Sequence, residues 1–570
     1  MEKKIIKNLF LIVGLLSSSA VINSCVREDE ASITEPTRYQ LGDIKSYADL
    51  FTVFWSTMEQ RYNYFYEQKE IKGMDWNAIY KEYYPKFSAL KHFGTGTDKE
   101  VQDDSDKAMD YFADIIDPII DRHFQVQIYF PYSARGDYKS PIFSGGMKNG
   151  VRDNIMNYIN DFSAKYSYMN TKISDQNKFD YNGFVLAGDL KSNPGIYYFG
   201  FSEFALTSNL KIDLLDQYLN PDPLSKILLK TNEIEAKANE MIKNTESRSK
   251  AIKVTENLLN EYNTFFESQE VKAFNSSIPE FTNTEVVSDV FLDTAQKALD
   301  KSRKLSAYRG FYSLSSGPYA DLFSDFNADW SEIFNFINWF TNRMYEHSEV
   351  GYKLQQFNDA AQLVIDRSPF YKRFLNPLHK GEIKKIIIDL RGNGGGAVLD
   401  ARFFSDRFIT HNATAGYQRS KEGTGLYNYT PWVPIQVNPH KFGIPSNIPI
   451  AILTDRGSVS MSEISTLMWK SQGSQVVSIG DYSAGGTAGL GDPDSFNGGI
   501  RDQIAGGYIT FYMPLLALKN AQGNVIEGIG IQPDIYVSPV TDVERKELNN
   551  SPNTYIDRVL NEAIKYLSSK

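Results

Sequence analysis

The chain has 570 residues, 42% apolar and 23% charged, with a formal net charge of −10 and an aromatic share of 14%. The acidic balance excludes a nucleic-acid-binding surface, which needs a basic excess to meet phosphates. A single cysteine excludes a disulfide framework, so the fold rests on its core, and a chain of this length predicts two or three domains.

The N-terminus, MEKKIIKNLFLIVGLLSSSAVINSC, opens on lysines, runs apolar from Leu9 to Leu16 and closes on small residues at Cys25. The apolar run is too short for a membrane span and has the layout of a secretory signal. The ending INSC resembles the signal-peptidase II site of bacterial lipoproteins, which implies that residues 1–25 are a signal peptide and that Cys25 is lipidated. The other reading of Cys25 is a small buried thiol. The implied location is the bacterial outer membrane, held through the lipid anchor and facing the periplasm or the cell exterior. Residues 26–38, VREDEASITEPTR, read as a flexible tether. Its acidic cluster is either a surface-export tag or a plain solvated linker.

Residues 39–135 are expected to form an N-terminal helical domain. Leu50, Phe51, Phe54, Trp55 and Met58 fall at helical spacing, and DWNAIYKEYYPKFSAL and DKAMDYFADIIDPIIDRHF repeat the pattern. Residues 136–204 read as a connecting segment that starts an α/β core; 138–190 lack the glycine loop and strand pattern of a PDZ domain. Residues 205–375 are mostly helical and polar-faced, with a long charged stretch, SKILLKTNEIEAKANEMIKNTESRSKAIKVTENLLNEYNTFF, free of Pro and Gly. Strand-like sequences flank them, GIYYFGFSEFAL before and KKIIIDLRGNGGG after, so they predict a helical insertion. Residues 376–570 are the main α/β core: IPIAILTD, SQVVSIGD and GYITFYMPL alternate with the helical AVLDARFFSDRFI and SEISTLMWKSQG.

Two stretches in that core carry chemistry. IIIDLRGNGGG has no following Lys for a phosphate loop and lacks the G-x-G-x-x-G spacing of a dinucleotide site. A structural turn would need fewer glycines; the surplus favours backbone N–H groups lining a pocket, as in an oxyanion hole. ILTDRGSVSMSEI runs from strand through a glycine turn into a helix, with Ser458, Ser460 and Ser462 at the junction. Any one of them is by default a helix cap, and another can be a nucleophile beside the helix dipole. The spacing is not the G-x-S-x-G of α/β hydrolases. Asp389 and Arg391 read as a local pair bracing the glycine loop, and Glu463, in the first turn, suits the helix dipole. No H-E-x-x-H or carboxylate cluster suggests a metal, and no cofactor is expected.

In order, IIIDLRGNGGG, LTDRGSVSMSEI, IGDYSAGGTAG and EGIGIQPDI resemble the core of the C-terminal processing (tail-specific) peptidases. That family also includes the tricorn protease core and the interphotoreceptor retinoid-binding modules. IIDPIIDRHFQVQI is similar to the family's D-x-H segment. The resemblance implies an α/β core of crotonase/ClpP-like type, here with an N-terminal helical domain and a helical insertion. The tail-specific branch takes its base from the Lys of a T-x-G-K loop, but Gly486 stands at that place, and Lys470 lies in the preceding helix. The loop SAGGTAG resembles the tricorn-like branch instead, where a histidine held by a glutamate is the base. Carried over residue by residue, Ser460 is the nucleophile, His123 the base and Glu527 its acidic partner. The N–H of Met461 and one from Gly395 or Gly396 form the oxyanion hole. Arg122 stands where the tricorn-like relay carries a serine, which leaves the link from Glu527 to His123 open. The implied function is serine-type cleavage of a peptide or protein substrate, as an endopeptidase or processing peptidase. A histidine base titrates near pH 6.5 unless perturbed, so activity is expected to rise across roughly pH 6 to 8. Because the same fold serves binding in the retinoid-binding modules, the alternative is a catalytically degenerate, surface-anchored ligand-binding lipoprotein.

Overall fold

Short apolar runs in the C-terminal half become the buried strands of a seven-stranded sheet in the computed structural model of the chain. The structure describes residues 38–215, 219, 229–306, 330–346, 348–487, 499–514, 516–552 and 554–570. The expected signal, Cys25, and the tether up to residue 37 lie outside the described residues, as does the end of the SAGGTAG loop from residue 488. The chain divides into two compact units. The fold is mixed α/β with a helical N-terminal region and a multi-strand sheet.

One unit comprises Ile155–Ala415, Gln436–Ala484 and Ile531–Lys570. Its sheet contains β1 (Phe179–Tyr181), β2 (Val185–Asp189), β3 (Tyr197–Phe201), β4 (Ile386–Asp389), β5 (Ile450–Thr454), β6 (Val476–Gly480) and β7 (Ile535–Tyr536), laid side by side in chain order. β1, β2 and β3 form an antiparallel meander, and from β3 to β7 every neighbour is parallel. Every residue of β4, β5 and β6 is buried. Strands covered on both faces lose the alternation of a half-exposed strand and read as continuous apolar runs.

The insertion sits in the connection between β3 and β4 and carries the helices Thr231–Met241, Thr245–Asn263, Gln269–Thr284, Asp289–Ser306, Trp330–Glu346 and Ser348–Phe370. The long charged stretch is not one helix. It breaks at Ile242–Asn244, where the Asn244 side chain accepts the Ser247 N–H at 3.0 Å and starts a second helix. Aromatic pairs hold the helices together, Phe265 on Phe357 at 5.0 Å and Phe281 on Phe291 at 4.8 Å. Helix Ser348–Phe370 carries Pro369 and runs on as a π turn, Tyr371–Leu375. Phe374 of that turn stacks on Phe199 of β3 at 4.3 Å, which ties the insertion to the sheet.

The other unit is built from Met1–Asn154, Gly416–Ile435 and Gly485–Gly530. Helix Tyr47–Arg61 buries Leu50, Phe51, Phe54 and Met58, while Trp55, less buried, donates from its indole to Trp76 O at 2.8 Å. Helices Trp76–Ala89 and Asp98–Ile116 close over them, with Phe51 stacked on Phe87 at 4.7 Å and Phe54 edge-on to Phe112 at 5.2 Å. A four-stranded antiparallel sheet completes the core. In it Gln125–Ile128 pairs with Ile509–Pro514 on one side and Ile142–Ser144 on the other, and Phe511 lies parallel to Phe54 at 5.9 Å. Pairing at that sequence distance is what brings the late segments into the same unit as the early helices.

Candidate active site

The Ser460 half of the candidate site lies at the C-terminal ends of β4 and β5. After β4 the chain enters the glycine loop, and after β5 it turns through Asp455 to Ser460, from which helix Met461–Lys470 departs. Of the three serines, Ser458 and Ser462 are fully buried and committed to structure. The Ser458 hydroxyl donates to Leu390 O at 2.7 Å, and Ser462 bonds both Asn393 O and Oδ1, at 2.9 and 2.7 Å. Ser460 alone is partly exposed. Its backbone has φ 58° and ψ −116°, a conformation rare for a residue with a side chain and concentrated at functional sites.

That strained serine is braced from behind. Glu463, fully buried, accepts the Ser460 N–H at 3.2 Å on one oxygen and the Ser483 hydroxyl at 2.5 Å on the other. Ser483 Oγ in turn accepts the Ile531 N–H at 2.6 Å. Glu463 therefore does more than face the helix dipole: it fixes the main chain at Ser460.

Gly395 explains the surplus glycines. It has φ +88°, and a Cβ there would stand 2.6 Å from the Ser460 Cβ and 3.0 Å from the Met461 nitrogen. No side chain fits between this loop and the serine. The Gly395 N–H is engaged by Asn393 Oδ1 at 3.0 Å, which removes it as an oxyanion donor in this conformation and leaves Gly396 as the loop's candidate beside Met461. Gly396 has φ +140° and is held where a Cβ would collide with the Phe204 carbonyl. Arg391 makes a larger brace than a local pair. Besides both oxygens of Asp389, at 2.9 and 2.7 Å, it holds both oxygens of Asp557 at 2.8 Å, with all three groups buried.

His123, Glu527 and the segment around them belong to the other unit. The buried Gln68 pins the approach, accepting the Ile120 N–H at 2.9 Å and donating to Pro118 O at 2.8 Å. Asp121 closes a tight turn by accepting the N–H groups of His123 and Phe124 at 2.9 and 3.0 Å. Glu527, fully buried, accepts the Arg122 N–H at 2.9 Å on one oxygen. On the other it accepts both N–H and hydroxyl of Thr487, each at 2.9 Å. The glutamate thus reaches the histidine's segment through the Arg122 backbone N–H, at the position where the tricorn-like relay carries a serine. Thr487 was not singled out from the sequence, although it sits in the SAGGTAG loop; its neighbour Gly485 is glycine because a Cβ would lie 2.6 Å from the Ile529 nitrogen.

Charge is under strain in this cluster. Burial, and then the Glu527 carboxylate, push the Asp121 carboxyl well above its usual range. Burial, and then the positive charge of Arg152, lower His123 to about 4, and its Nδ1 is buried without a hydrogen-bond partner. The expected titration across pH 6 to 8 therefore moves down. Among the described residues, ligand atoms of Asp121, His123 and Glu527 lie within 4.8 Å of one another. Both Glu527 oxygens and one Asp121 oxygen already accept backbone N–H groups, so the cluster is built as an anchor for the loop.

Gly486, at the place of the tail-specific lysine, is buried. Lys470 points elsewhere, donating to Asp534 Oδ1 at 2.8 Å and Ser478 Oγ at 2.9 Å. A cavity of about 600 Å³, lined by Tyr197, Pro194, Lys384 and Arg373 among others, lies at the N-terminal ends of β3 and β4, away from the glycine loop. Among the described residues no helix is long and apolar enough to cross a membrane.

Parallel strands ending in a glycine loop and a strained serine define the α/β core of the candidate site. More particularly, residues 349–537 match the sequence model of peptidase family S41. No curated protein matches the chain in sequence. Among solved structures, a candidate peptidase from Parabacteroides merdae aligns with 14% identity and a TM-score of 0.44, over 92% of this chain and 97% of that one. A lipoprotein from Streptococcus agalactiae aligns over the same shares with 12% identity and a TM-score of 0.31. The photosystem II D1 C-terminal processing protease aligns over 33% of this chain and 42% of its own, with 17% identity and a TM-score of 0.23.

Proposed function

We propose that the protein is a serine peptidase of the tricorn-like branch, with a crotonase/ClpP-like core, anchored to the outer membrane through a lipid on Cys25. Ser460 Oγ attacks a peptide carbonyl carbon as its proton passes to His123. The oxyanion is held by the Met461 N–H and by that of Gly396, the Gly395 N–H being engaged by Asn393. Collapse expels the amine, which takes the proton back from His123, and water then releases the acyl group by the same steps. Glu527 acts by holding the 121–123 turn. The observation that carries this reading is Gly395 lying where a Cβ would stand 2.6 Å from the Ser460 Cβ, beside a serine at φ 58°. Such closeness supports a role for the loop's main chain beside the serine.

The test is labelling of the purified protein with a fluorophosphonate probe, with Ser460→Ala as control, and hydrolysis of a peptide library. Covalent labelling lost in the variant supports the enzyme. A wild-type chain that neither labels nor cleaves any peptide, yet binds a ligand, would establish the degenerate binding lipoprotein instead.

A further inference from the structure

We infer that Lys165 is a positioning residue for the nucleophile loops, acting through Asp455; this rests on the peptidase reading of Ser460. Asp455 stands where β5 ends, and one of its oxygens accepts two N–H groups from two different loops, Gly392 at 2.9 Å and Gly457 at 2.8 Å. The loops touch there: a Cβ on Gly457 would lie 2.8 Å from the Gly392 Cα, and one on Gly392 would lie 2.8 Å from the Tyr158 carbonyl oxygen. A single carboxylate oxygen therefore stitches the β4 loop to the β5 loop at their closest approach.

The other Asp455 oxygen is held by the Lys165 ammonium, which reaches it from helix Phe162–Lys172. Both side chains are buried, 6% and 7% exposed. A buried carboxylate without its cation is unstable as an anion; it takes up a proton or draws in water, and either change weakens the oxygen as an acceptor for the glycine N–H groups. Three residues on from Gly392 is Gly395, and three residues on from Gly457 is Ser460. Asn393, between them, ties the same loops by accepting the Val459 N–H at 3.1 Å. Lys165 touches none of these reacting groups. It fixes the separation between the glycine-loop donors and the serine, the kind of spacing for which an error of about 1 Å costs on the order of 100-fold in rate.

Three full-length chains test this: wild type, Lys165→Met, and Lys165→Met/Asp455→Asn. An asparagine keeps an oxygen for both glycine N–H groups and needs no cation. Lys165→Met is expected to lower kcat by about 10- to 100-fold with KM changed less than about 2-fold, and the double variant to recover at least about 10-fold of that loss. Amide exchange at Gly392 and Gly457 should speed up in Lys165→Met and return to the wild-type rate in the double variant. Wild-type kcat in a folded Lys165→Met, or a double variant no better than the single, would overturn the inference. If Lys165→Met does not fold, the double variant decides alone: near-wild-type kcat supports the clamp, and kcat below about 1% of wild type overturns it. If the wild-type chain neither labels nor cleaves, the peptidase reading fails separately. The clamp is then decided by exchange, faster exchange supporting it and unchanged exchange refuting it.

Discussion

Lowering the pH is the most direct perturbation of the proposed base. His123 acts as base only when neutral, and burial, with Arg152 adding to it, lowers its pKa from 6.5 to about 4. The pH dependence of kcat/KM reports the free enzyme. At pH 5 a histidine at 6.5 would be about 3% neutral, whereas one near 4 would be roughly 90% neutral. Activity on a peptide substrate should thus be close to its plateau at pH 5 and fall to about half near pH 4. Arg152→Gln should move the fall upward but leave it below 6.5, because burial is the larger cause. The sign for stability follows. A depressed folded-state pKa gives stability present above 6.5 and lost as pH falls through 4, on the order of 3 kcal/mol in all. Urea unfolding of wild type and His123→Gln at pH 7 and pH 4 measures it, the variant lacking that part of the acid sensitivity. An acid limb with its midpoint at 6.5 or above would refute the reasoning, since the base would then be neither buried nor near a cation.

His123→Ala should lower turnover by about two to four orders of magnitude with the protein still folded at pH 7, while Lys470→Ala should keep full activity and lose at most about 1 kcal/mol with its partly exposed Asp534 pair. Gly395→Ala places a Cβ 2.6 Å from the Ser460 Cβ at φ +88°; fluorophosphonate labelling should fall at least about 100-fold, and labelling at the wild-type rate would refute the loop's proposed role. Cys25→Ala should move the protein from the membrane fraction to the soluble fraction, as read by fractionation and fatty-acid labelling.

What could be read in advance was local. IIIDL, IAILT and VVSIG spell buried parallel strands because both faces must be apolar, and the strand–turn–helix around Ser460 announces itself by its glycines and serines. What could not be read depends on contacts between distant segments. Lys165 and Asp455 lie 290 residues apart, and in isolation each looks like an ordinary surface charge. Asp557, the second partner of Arg391, reads as a plain helix cap, which it also is, accepting the Leu560 N–H at 2.9 Å. Glu527 was found through its motif, yet its contact with a backbone N–H of residue 122 carries no residue-type signal, because any amino acid but proline supplies one. The helix break at Asn244 was visible in principle, since Asn is a strong N-cap, but it was masked by charged helix formers on both sides.

Placing the insertion between β3 and β4 has a consequence for how the chain folds. Tyr197 and Ile386 are directly paired neighbours, so this central parallel contact closes a loop about six times longer than a common β–helix–β crossover of roughly 30 residues. In an unfolded chain the added closure cost is about 1.6 kcal/mol, and long-range pairing of this kind is slow. An insertion that condenses early shortens the effective loop and presents Phe374 to Phe199 as a docking handle. The helices then act as an internal template for the sheet, and destabilising them would slow assembly of the nucleophile half even though none of them carries one of its groups.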